Sequence, residues 1–307
     1  MKKLATLITK IFVLIVVLSA GRHLHAQTSH IDSLSSDGIL VWTTEETNIF
    51  CGLEYTTDLT GPWSHQIGFY WNQFVTHQTN ISYVGIPEGM DRLFMRIACS
   101  YDSFLGEPYD VDSNGIPAFV TSDYIDLEKI GRISRLRSGT GHDYSDDFES
   151  CRSMKHYYEP AVTNWSDIRV FSPVEGTLYN VAEESAGAQA WIQSSNYPAF
   201  FFILFHVALA NSLHPGDPVA AGEQIGTHIG NETTSDIAVG VNTPTGWKLV
   251  SFFDVMTNTL FADYTNRGVN ARSDLIISEA ERNADPLVCA GETFAGPGNL
   301  TNWVLLD

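Results

Sequence analysis

The feature that most constrains the fold is the run 200–207, in which every residue except His206 is apolar. A strand of this composition is apolar on both faces, so it is predicted to lie at the centre of a sheet, covered on both sides. The runs 168–178 and 190–193 predict further strands of the same domain. The C-terminal half of the chain is therefore predicted to be built on a β-sheet.

Two helices are predicted after this sheet. Ser251 is followed three residues later by Asp254, and Ser278 by Glu281. A serine followed at this spacing by an acidic residue is typical of a helix N-terminus. The second domain is therefore predicted to be mainly β, with C-terminal helices.

The N-terminal part carries short runs rich in β-branched and aromatic residues, separated by turn signals. This pattern is typical of a small antiparallel β-sandwich. The runs are 38–43, 49–55, 66–71, 80–84 and 93–99. Because a turn-rich segment follows, the chain is predicted to contain a sandwich at 30–100, a linker at 101–120 and a second domain at 121–307.

The first 26 residues have the pattern of a secretory signal. Three lysines precede the apolar run 11–18, which is too short to span a bilayer, and Ala26 offers a small residue suited to cleavage. Removal of this segment takes away four basic and no acidic residues and changes the formal net charge from −19 to −23. Such an acidic chain is a poor candidate for binding nucleic acid or anionic lipid, and no membrane span is predicted after cleavage.

Four cysteines suit an oxidising compartment, although they allow three pairings. Each predicted domain contains two of them, which favours Cys51 with Cys99 and Cys151 with Cys289. Four buried free thiols are the alternative. A cysteine metal site is disfavoured because no two cysteines have Cys-x-x-Cys spacing.

Four motifs follow one another in the second domain. They are His142-x-x-x-Asp146, Phe205-His206, the turn 218–226 and the strand-like run 235–241. This order resembles that of the lysostaphin-like zinc metallopeptidases, which cut peptidoglycan cross-bridges and end the series with a His-x-His strand. The resemblance covers about 130–245 and implies a lysostaphin-like β-sheet domain. The stretch 34–100 is similar to the fibronectin type III-like modules of exported bacterial proteins.

The resemblance also implies a zinc site. In that family the His and Asp of His-x-x-x-Asp and the second His of His-x-His hold zinc, which activates a water for attack on an amide carbonyl. By position, His142 and Asp146 would be ligands, and His206 would assist proton transfer. The His-x-His pair falls on Asp236 and Ala238. Residues two apart share a strand face, so both should face the site, where a methyl group cannot bind metal.

Asp236 can replace the lost ligand. The predicted metal set is then His142, Asp146 and Asp236, with His206 and Asp236 as catalytic residues. Other histidines could replace the missing ligand instead: His156, His214 and His228. The alternative interpretation is an ordinary loop pair at His142 and Asp146 and a hydrogen-bonded core histidine at His206.

Two functional hypotheses stand. The first is an exported, catalytically degenerate module that binds peptidoglycan or an envelope protein, or has a structural role. The second is a zinc-dependent endopeptidase for peptidoglycan or another peptide, with a rearranged ligand set. No serine-histidine-acid pattern, phosphate loop or dinucleotide fingerprint occurs. Metal content discriminates between the two hypotheses.

Overall fold

The structure is a computed structural model in which the chain divides into two compact units, Met1–Phe104 and Leu105–Asp307. The residues it describes are 29–35, 39–47, 49–56, 59, 64–65, 73–83, 94–100, 105–184, 186–231 and 233–307. The predicted signal segment 1–26 and the predicted strand 66–71 lie outside the described residues.

Unit 1 is an antiparallel β-sandwich. Its strands are β1 (Ser29–Leu34), β2 (Ile39–Thr44), β3 (Ile49–Thr56), β4 (Ser64–His65), β5 (Gln73–Val75), β6 (Thr79–Tyr83) and β7 (Phe94–Ser100). One sheet joins β2 to β1 and β6, and the other joins β3 to β4, β5 and β7. Leu40 and Trp42 of the first sheet pack with Ile49, Leu53 and Met95 of the second. The predicted sandwich is therefore confirmed, with β1, β4 and β5 as strands outside the predicted runs.

Both predicted disulfides are present. Cys51 on β3 lies directly opposite Cys99 on β7, and the bond between them closes the core of unit 1. The second bond joins Cys151 to Cys289 within unit 2. The pairing predicted from the domain assignment is confirmed, and the alternative of four free thiols is wrong.

Unit 2 is built on a large antiparallel sheet. Its strands are β8 (Ile130–Ser134), β9 (His156–Pro160), β10 (Arg169–Phe171), β11 (Gly176–Glu184), β12 (Gly187–Ser194), β13 (Phe200–Leu209), β14 (Pro218–Val219), β15 (Gln224–His228), β16 (Ser235–Thr243), β17 (Gly246–Val250), β18 (Val288–Ala290), β19 (Thr293–Gly296) and β20 (Trp303–Leu305). The main path runs β14-β11-β12-β13-β16-β9-β8-β20, and β18 and β19 form a separate hairpin. Because β13 pairs with β12 on one edge and with β15 and β16 on the other, it lies at the centre of the sheet as predicted.

The helices of unit 2 are short. They are α1 (Val111–Asn114), α2 (Phe252–Val255), α3 (Asn258–Thr265) and α4 (Glu279–Ala284), with 3-10 turns at Leu127–Lys129, Trp165–Asp167 and Arg272–Leu275. The Ser251 hydroxyl accepts a hydrogen bond from the first turn of α2, and Ser278 and Glu281 form a capping box at α4. Both predicted helix starts are confirmed. The sequence analysis missed α3, which begins after the capping residue Thr257.

The central sheet has a different cluster on each face. One face carries Phe202, Leu204 and Ile237, which pack with α2 and α3 in the main core. The opposite face carries Ile203 and Ala238 in a smaller apolar cluster. The strict alternation along β13 and β16 produces this division.

The predicted linker contributes to unit 2 over its second part. The Tyr109 amide donates to the Asn242 carbonyl, and the Val120 amide donates to the Val255 carbonyl. From residue 105 onward, the predicted linker 101–120 is therefore hydrogen-bonded to the rest of unit 2 and belongs to that unit.

None of the described residues belongs to a helix with both the length and the apolar character needed to cross a bilayer.

Candidate functional site

Asp236 and Ala238 lie two residues apart on β16 and share one face of the sheet, as predicted. Ala238 packs there with Phe205 and Leu249. Asp236 is fully buried. This face therefore presents one carboxylate and one methyl group, and the methyl group belongs to an apolar cluster.

A bulge in β13 turns His206 towards Asp236. Leu204 packs in the main core, so regular alternation would send the side chain of His206 to that core as well. At this point the pairing of β12 with β13 shifts, and His206 has a φ of 60°, which costs roughly 1–2 kcal/mol for a non-glycine residue. Alternation resumes at Val207, which packs in the main core. The extra residue leaves Nε2 of His206 at 3.2 Å from Oδ1 of Asp236.

The loop that carries His142 is fastened to the C-terminal hairpin formed by β18 and β19. The Asp143 amide donates to the Glu292 carbonyl at 2.7 Å. The disulfide between Cys151 and Cys289 joins the same loop to β18. These contacts fix the position of His142 although its side chain is exposed.

Gly141 sets the direction in which the chain enters His142. Its φ is 73°, and a Cβ atom there would lie 2.0 Å from the Tyr157 hydroxyl, so only glycine fits. The Nδ1 atom of His142 is 2.9 Å from the Asp143 carbonyl and can donate to it. In that tautomer the Nε2 lone pair is free and faces Lys155.

Lys155 occupies the point between these side chains. Its Nζ lies 2.7 Å from Oδ2 of Asp236 and 3.2 Å from Nε2 of His142. The side chain is 2% exposed. Aromatic rings surround the ammonium, at 4.0 Å from the Phe205 centroid and 4.8 Å from the Tyr144 centroid. These contacts suit a protonated amine, which donates to the imidazole and pairs with the carboxylate.

The opposite charges of Asp236, Lys155 and His206 shift one another's pKa values. Burial raises the pKa of Asp236, but the positive charge of Lys155 and the contact with His206 outweigh burial and lower that pKa. Burial lowers the pKa of His206, but the contact with Asp236 outweighs it and raises that pKa. Since Nδ1 of His206 lies 2.8 Å from the Ala186 carbonyl, an imidazolium can donate to that carbonyl while it forms an ion pair with Asp236.

Both carboxylate oxygens of Asp146 accept hydrogen bonds from backbone amides. Its Oδ1 accepts from the amides of Phe148 and Glu149 at 2.9 and 2.8 Å, and its Oδ2 accepts from the Leu249 amide at 2.8 Å. Both oxygens therefore fix the loop against β17. These contacts give Asp146 a structural role in the loop, and its role as a metal ligand stays a prediction.

The residues present do not fit a zinc ion. Within the described part of the chain, no three His, Cys, Asp or Glu side chains are grouped so that they could hold a metal. His142 and Asp236 converge, but the ammonium of Lys155 lies between them. The predicted set of His142, Asp146 and Asp236 is therefore not assembled as one group.

The other candidate histidines are divided between core and surface. His156 is buried with its ring nitrogens 2.9 Å from the Ser134 carbonyl and the Ser251 hydroxyl, and burial lowers its pKa to about 4. His228 is buried and accepts from the Gly230 amide, while its Nε2 has no hydrogen bond. Burial, followed by the charge of His206, lowers the pKa of His228 to about 4. His214 is exposed beside Asp217.

Lys155 is the residue that sequence reasoning missed. It follows a methionine and precedes the aromatic run of β9, which makes the segment look like the start of an ordinary strand. The one signal is its spacing from Tyr157, since residues two apart share a face and Tyr157 borders the site. A lone lysine at a strand end is usually solvated, so this signal is weak.

Comparisons with solved structures find similar chains, among them lysostaphin and Helicobacter pylori Csd3. No family model matches the chain, and no curated protein matches it. The solution NMR structure of lysostaphin is similar with 13% identity and a TM-score of 0.28, over 47% of this chain and 56% of that chain. The chain thus spans little more than half of that structure. Helicobacter pylori Csd3 is similar with 11% identity and a TM-score of 0.31, over 77% of this chain and 75% of that chain. Both TM-scores are low, so the function is inferred from the geometry described above.

Proposed function

We propose that this protein is an exported, non-catalytic module whose second unit has a lysostaphin-like fold and binds a cell-wall or envelope partner. The observation that carries this proposal is the ion pair between Lys155 and Asp236. The only predicted ligand that lies buried at the centre is neutralised by an amine of the same chain. A carboxylate paired in this way is a poor ligand for a metal ion.

Further features support loss of catalysis. The position of the second family histidine is Ala238, which packs in an apolar cluster. Asp146 uses both carboxylate oxygens on backbone amides. Hydrolysis of an amide by the chemistry of the lysostaphin-like peptidases needs a metal-bound water, and the methyl group of Ala238 cannot bind a metal.

Export is supported by the cysteines and the predicted signal segment. Two disulfides, one in each unit, are typical of proteins that fold in an oxidising compartment. The motif order from His142 to Val241 supports peptidoglycan as the first partner to test. The strongly acidic composition disfavours a nucleic acid partner.

The test is a measurement of metal, activity and binding on one preparation. The chain without residues 1–26 is equilibrated with zinc, desalted and assayed for zinc per chain, for release of peptidoglycan fragments and for co-sedimentation with insoluble peptidoglycan. We expect zinc well below one ion per chain, cleavage at background and co-sedimentation that the heat-unfolded chain does not show.

The opposite pattern identifies an enzyme. One zinc per chain with cleavage, both abolished by His142→Ala, establishes the endopeptidase with a rearranged ligand set. Absence of co-sedimentation, with cleavage at background, removes peptidoglycan as the partner and directs the search to envelope proteins.

A further inference from the structure

Three aromatic rings form a strip on the face of the central sheet that carries Ala238. The indoles of Trp191 on β12 and Trp247 on β17 are stacked, with ring centroids 5.8 Å apart and 25° between their planes, and both pack against the Ala238 cluster. The buried ring of Phe201 on β13 contacts both indoles, at 6.2 and 5.6 Å. Both indoles are half-buried, so the aromatic strip of Trp191, Phe201 and Trp247 is partly open to solvent.

Two neighbouring residues fix the orientation of the indoles. Gly240 leaves space for Trp247, because a Cβ atom there would lie 1.8 Å from Cζ2 of the indole. The side-chain oxygen of the buried Gln189 accepts a hydrogen bond from Nε1 of Trp191 at 2.9 Å. Rings that are fixed before a ligand arrives lose little conformational entropy when it binds.

A bulge in β11 adds a polar acceptor beside the strip. The pairing of β11 with β12 shifts between Leu178 and Asn180. Leu178 and Val181 both pack against the main core, so the two residues between them face the strip. Asn180 lies opposite Trp191 and is 2% exposed, and its Oδ1 accepts no hydrogen bond from the described residues. A buried acceptor without a donor costs free energy, which indicates a place for a donor from a ligand.

We propose that the aromatic strip binds an uncharged carbohydrate chain, with Asn180 accepting a hydrogen bond from a sugar hydroxyl. The C–H groups on the flat face of a sugar ring are attracted to the negative face of an indole. Further polar side chains lie on the same face of β11 and β12, where Thr177 pairs with Gln193. This inference rests on the proposed function and deepens it, because it names the glycan strand as the part of peptidoglycan that is recognised.

Electrostatics favour an uncharged ligand at this surface. The formal net charge of −19 disfavours an anionic polymer. A cationic peptide is held best by carboxylates beside the indoles, whereas the polar neighbours of Trp191 named above carry amides and a hydroxyl. They are Thr177, Asn180, Gln189 and Gln193. Apolar and aromatic surface combined with a few uncharged hydrogen-bonding groups is typical of a site for a neutral ligand.

The chain supplies a matched control in Trp303. This tryptophan of β20 is also half-buried and belongs to the same unit. The guanidinium of Arg132 lies over its ring, at 4.4 Å from the centroid. That ring face is therefore occupied by a side chain of the protein, and Trp303→Ala removes an indole that is not part of the strip.

The experiment measures binding of chitohexaose, a β-linked oligomer of N-acetylglucosamine, by titration calorimetry. We expect the native chain to bind it, and Trp191→Ala and Trp247→Ala to weaken binding by about 10-fold or more, because each removes an aromatic contact. Trp303→Ala should bind as the native chain does. Asn180→Leu should weaken binding without lowering the thermal unfolding temperature, since it removes a buried polar group that has no partner in the protein.

A folding defect in the indole variants leaves the test intact, because the native chain can be followed by NMR. Chitohexaose should shift the indole N–H resonances of Trp191 and Trp247 and leave that of Trp303 in place. Absence of these shifts, equal affinity of Asn180→Leu and the native chain, or shifts produced by a sugar-free stem peptide and not by chitohexaose each overturns the inference. Co-sedimentation with peptidoglycan without these shifts overturns this inference alone. Cleavage of peptidoglycan by the native chain overturns the proposed function instead.

Discussion

Among the described residues of unit 2, two buried aspartates are paired with lysines, and the two pairs differ in how the carboxylate is hydrogen-bonded. Asp126 accepts from Lys129, from the guanidinium of Arg169 and from the Arg169 amide, at 2.6 to 3.0 Å. Asp236 lies at ion-pair distance from Lys155 and His206, yet neither of its oxygens accepts a hydrogen bond of normal geometry. Both oxygens of Asp126 are therefore hydrogen-bonded, whereas those of Asp236 are not.

The partners differ in exposure as well. The side chains of Lys129 and Arg169 are 27% and 51% exposed, while that of Lys155 is 2% exposed. A buried pair with incomplete hydrogen bonding stabilises a fold poorly compared with an apolar replacement. The contrast therefore indicates that the Asp236 pair contributes less to the stability of the fold than its burial alone would suggest.

The largest effect is expected from Lys155→Met. Removal of the ammonium leaves a fully buried carboxylate with His206 as its remaining charged partner, and loss of one member of a buried ion pair costs about 3–5 kcal/mol. Urea denaturation of the native and variant chains measures this loss.

The control for this variant is the double substitution Lys155→Met/Asp236→Asn. It removes the unpaired charge and should recover most of the lost free energy of unfolding, since replacing both members of a buried pair is often nearly neutral. A double variant that is less stable than Lys155→Met would contradict the assignment of the cost to the buried charge.

The next effect concerns the loop that brings His142 to Lys155. Replacing Cys151 and Cys289 by serine should lower the free energy of unfolding by roughly 2–4 kcal/mol and expose the loop to proteases, because the bond ties this loop to β18. The Asp126 centre lacks such a tether and should keep its protease resistance. Thermal unfolding and mapping of the first cleavage sites check both statements, and unchanged resistance around His142 would show that hydrogen bonds alone anchor the loop.

The sequence predicts the fold better than the site, and the reason is physical. The central strand β13, the helix starts at Ser251 and Ser278 and the disulfide pairing follow from local patterns or from the division into domains. The sequence did not predict helix α3, because no acidic residue stands three positions after its capping residue Thr257. Such features need only local sequence.

The site depends on contacts between distant segments. Asp236 was identified from the resemblance to the lysostaphin-like peptidases, whose His-x-His position it occupies, and strand alternation predicted its face. The bulge at His206 changes that alternation, and no residue in the sequence of β13 predicts the bulge. The placement of Lys155 depends on how the loop before β9 approaches β16, and the role of Asp146 depends on amides of the loop and β17. Patterns along one segment do not contain this information.

His206 at the Asp236 centre and the buried His228 predict a pH dependence that the Asp126 centre lacks. The pKa of His228 falls from about 6.5 to about 4 in the folded chain, so the unfolded chain binds more protons between these values. Its contribution to stability is present above pH 6.5 and is lost as pH falls towards 4. The pKa of His206 is raised, so its contribution is present below about pH 6.5 and is lost as pH rises through its folded pKa.

Imidazole NMR titration together with urea denaturation from pH 4 to 8 measures both contributions. His228→Leu should reduce the slope of the free energy of unfolding against pH between pH 6.5 and 4. The reduction should correspond to one proton per chain, because the substitution removes the group that gains a proton on unfolding. A measured pKa of His228 above that of His206 would contradict the environments assigned to the two side chains. Asp126, whose pKa is lowered by Arg169 and Lys129 despite burial, should contribute only at lower pH.

The smallest effect is expected from Lys129→Met. Its ammonium is partly exposed, so solvent screens its attraction to Asp126, and exposed pairs of this kind contribute up to about 1 kcal/mol. After the substitution Asp126 still accepts from both the guanidinium and the amide of Arg169, so no buried charge is left unpaired. Urea denaturation beside Lys155→Met makes the comparison direct. We expect a loss several-fold smaller than that of Lys155→Met, and equal losses would show that both pairs are structural contacts of the same kind.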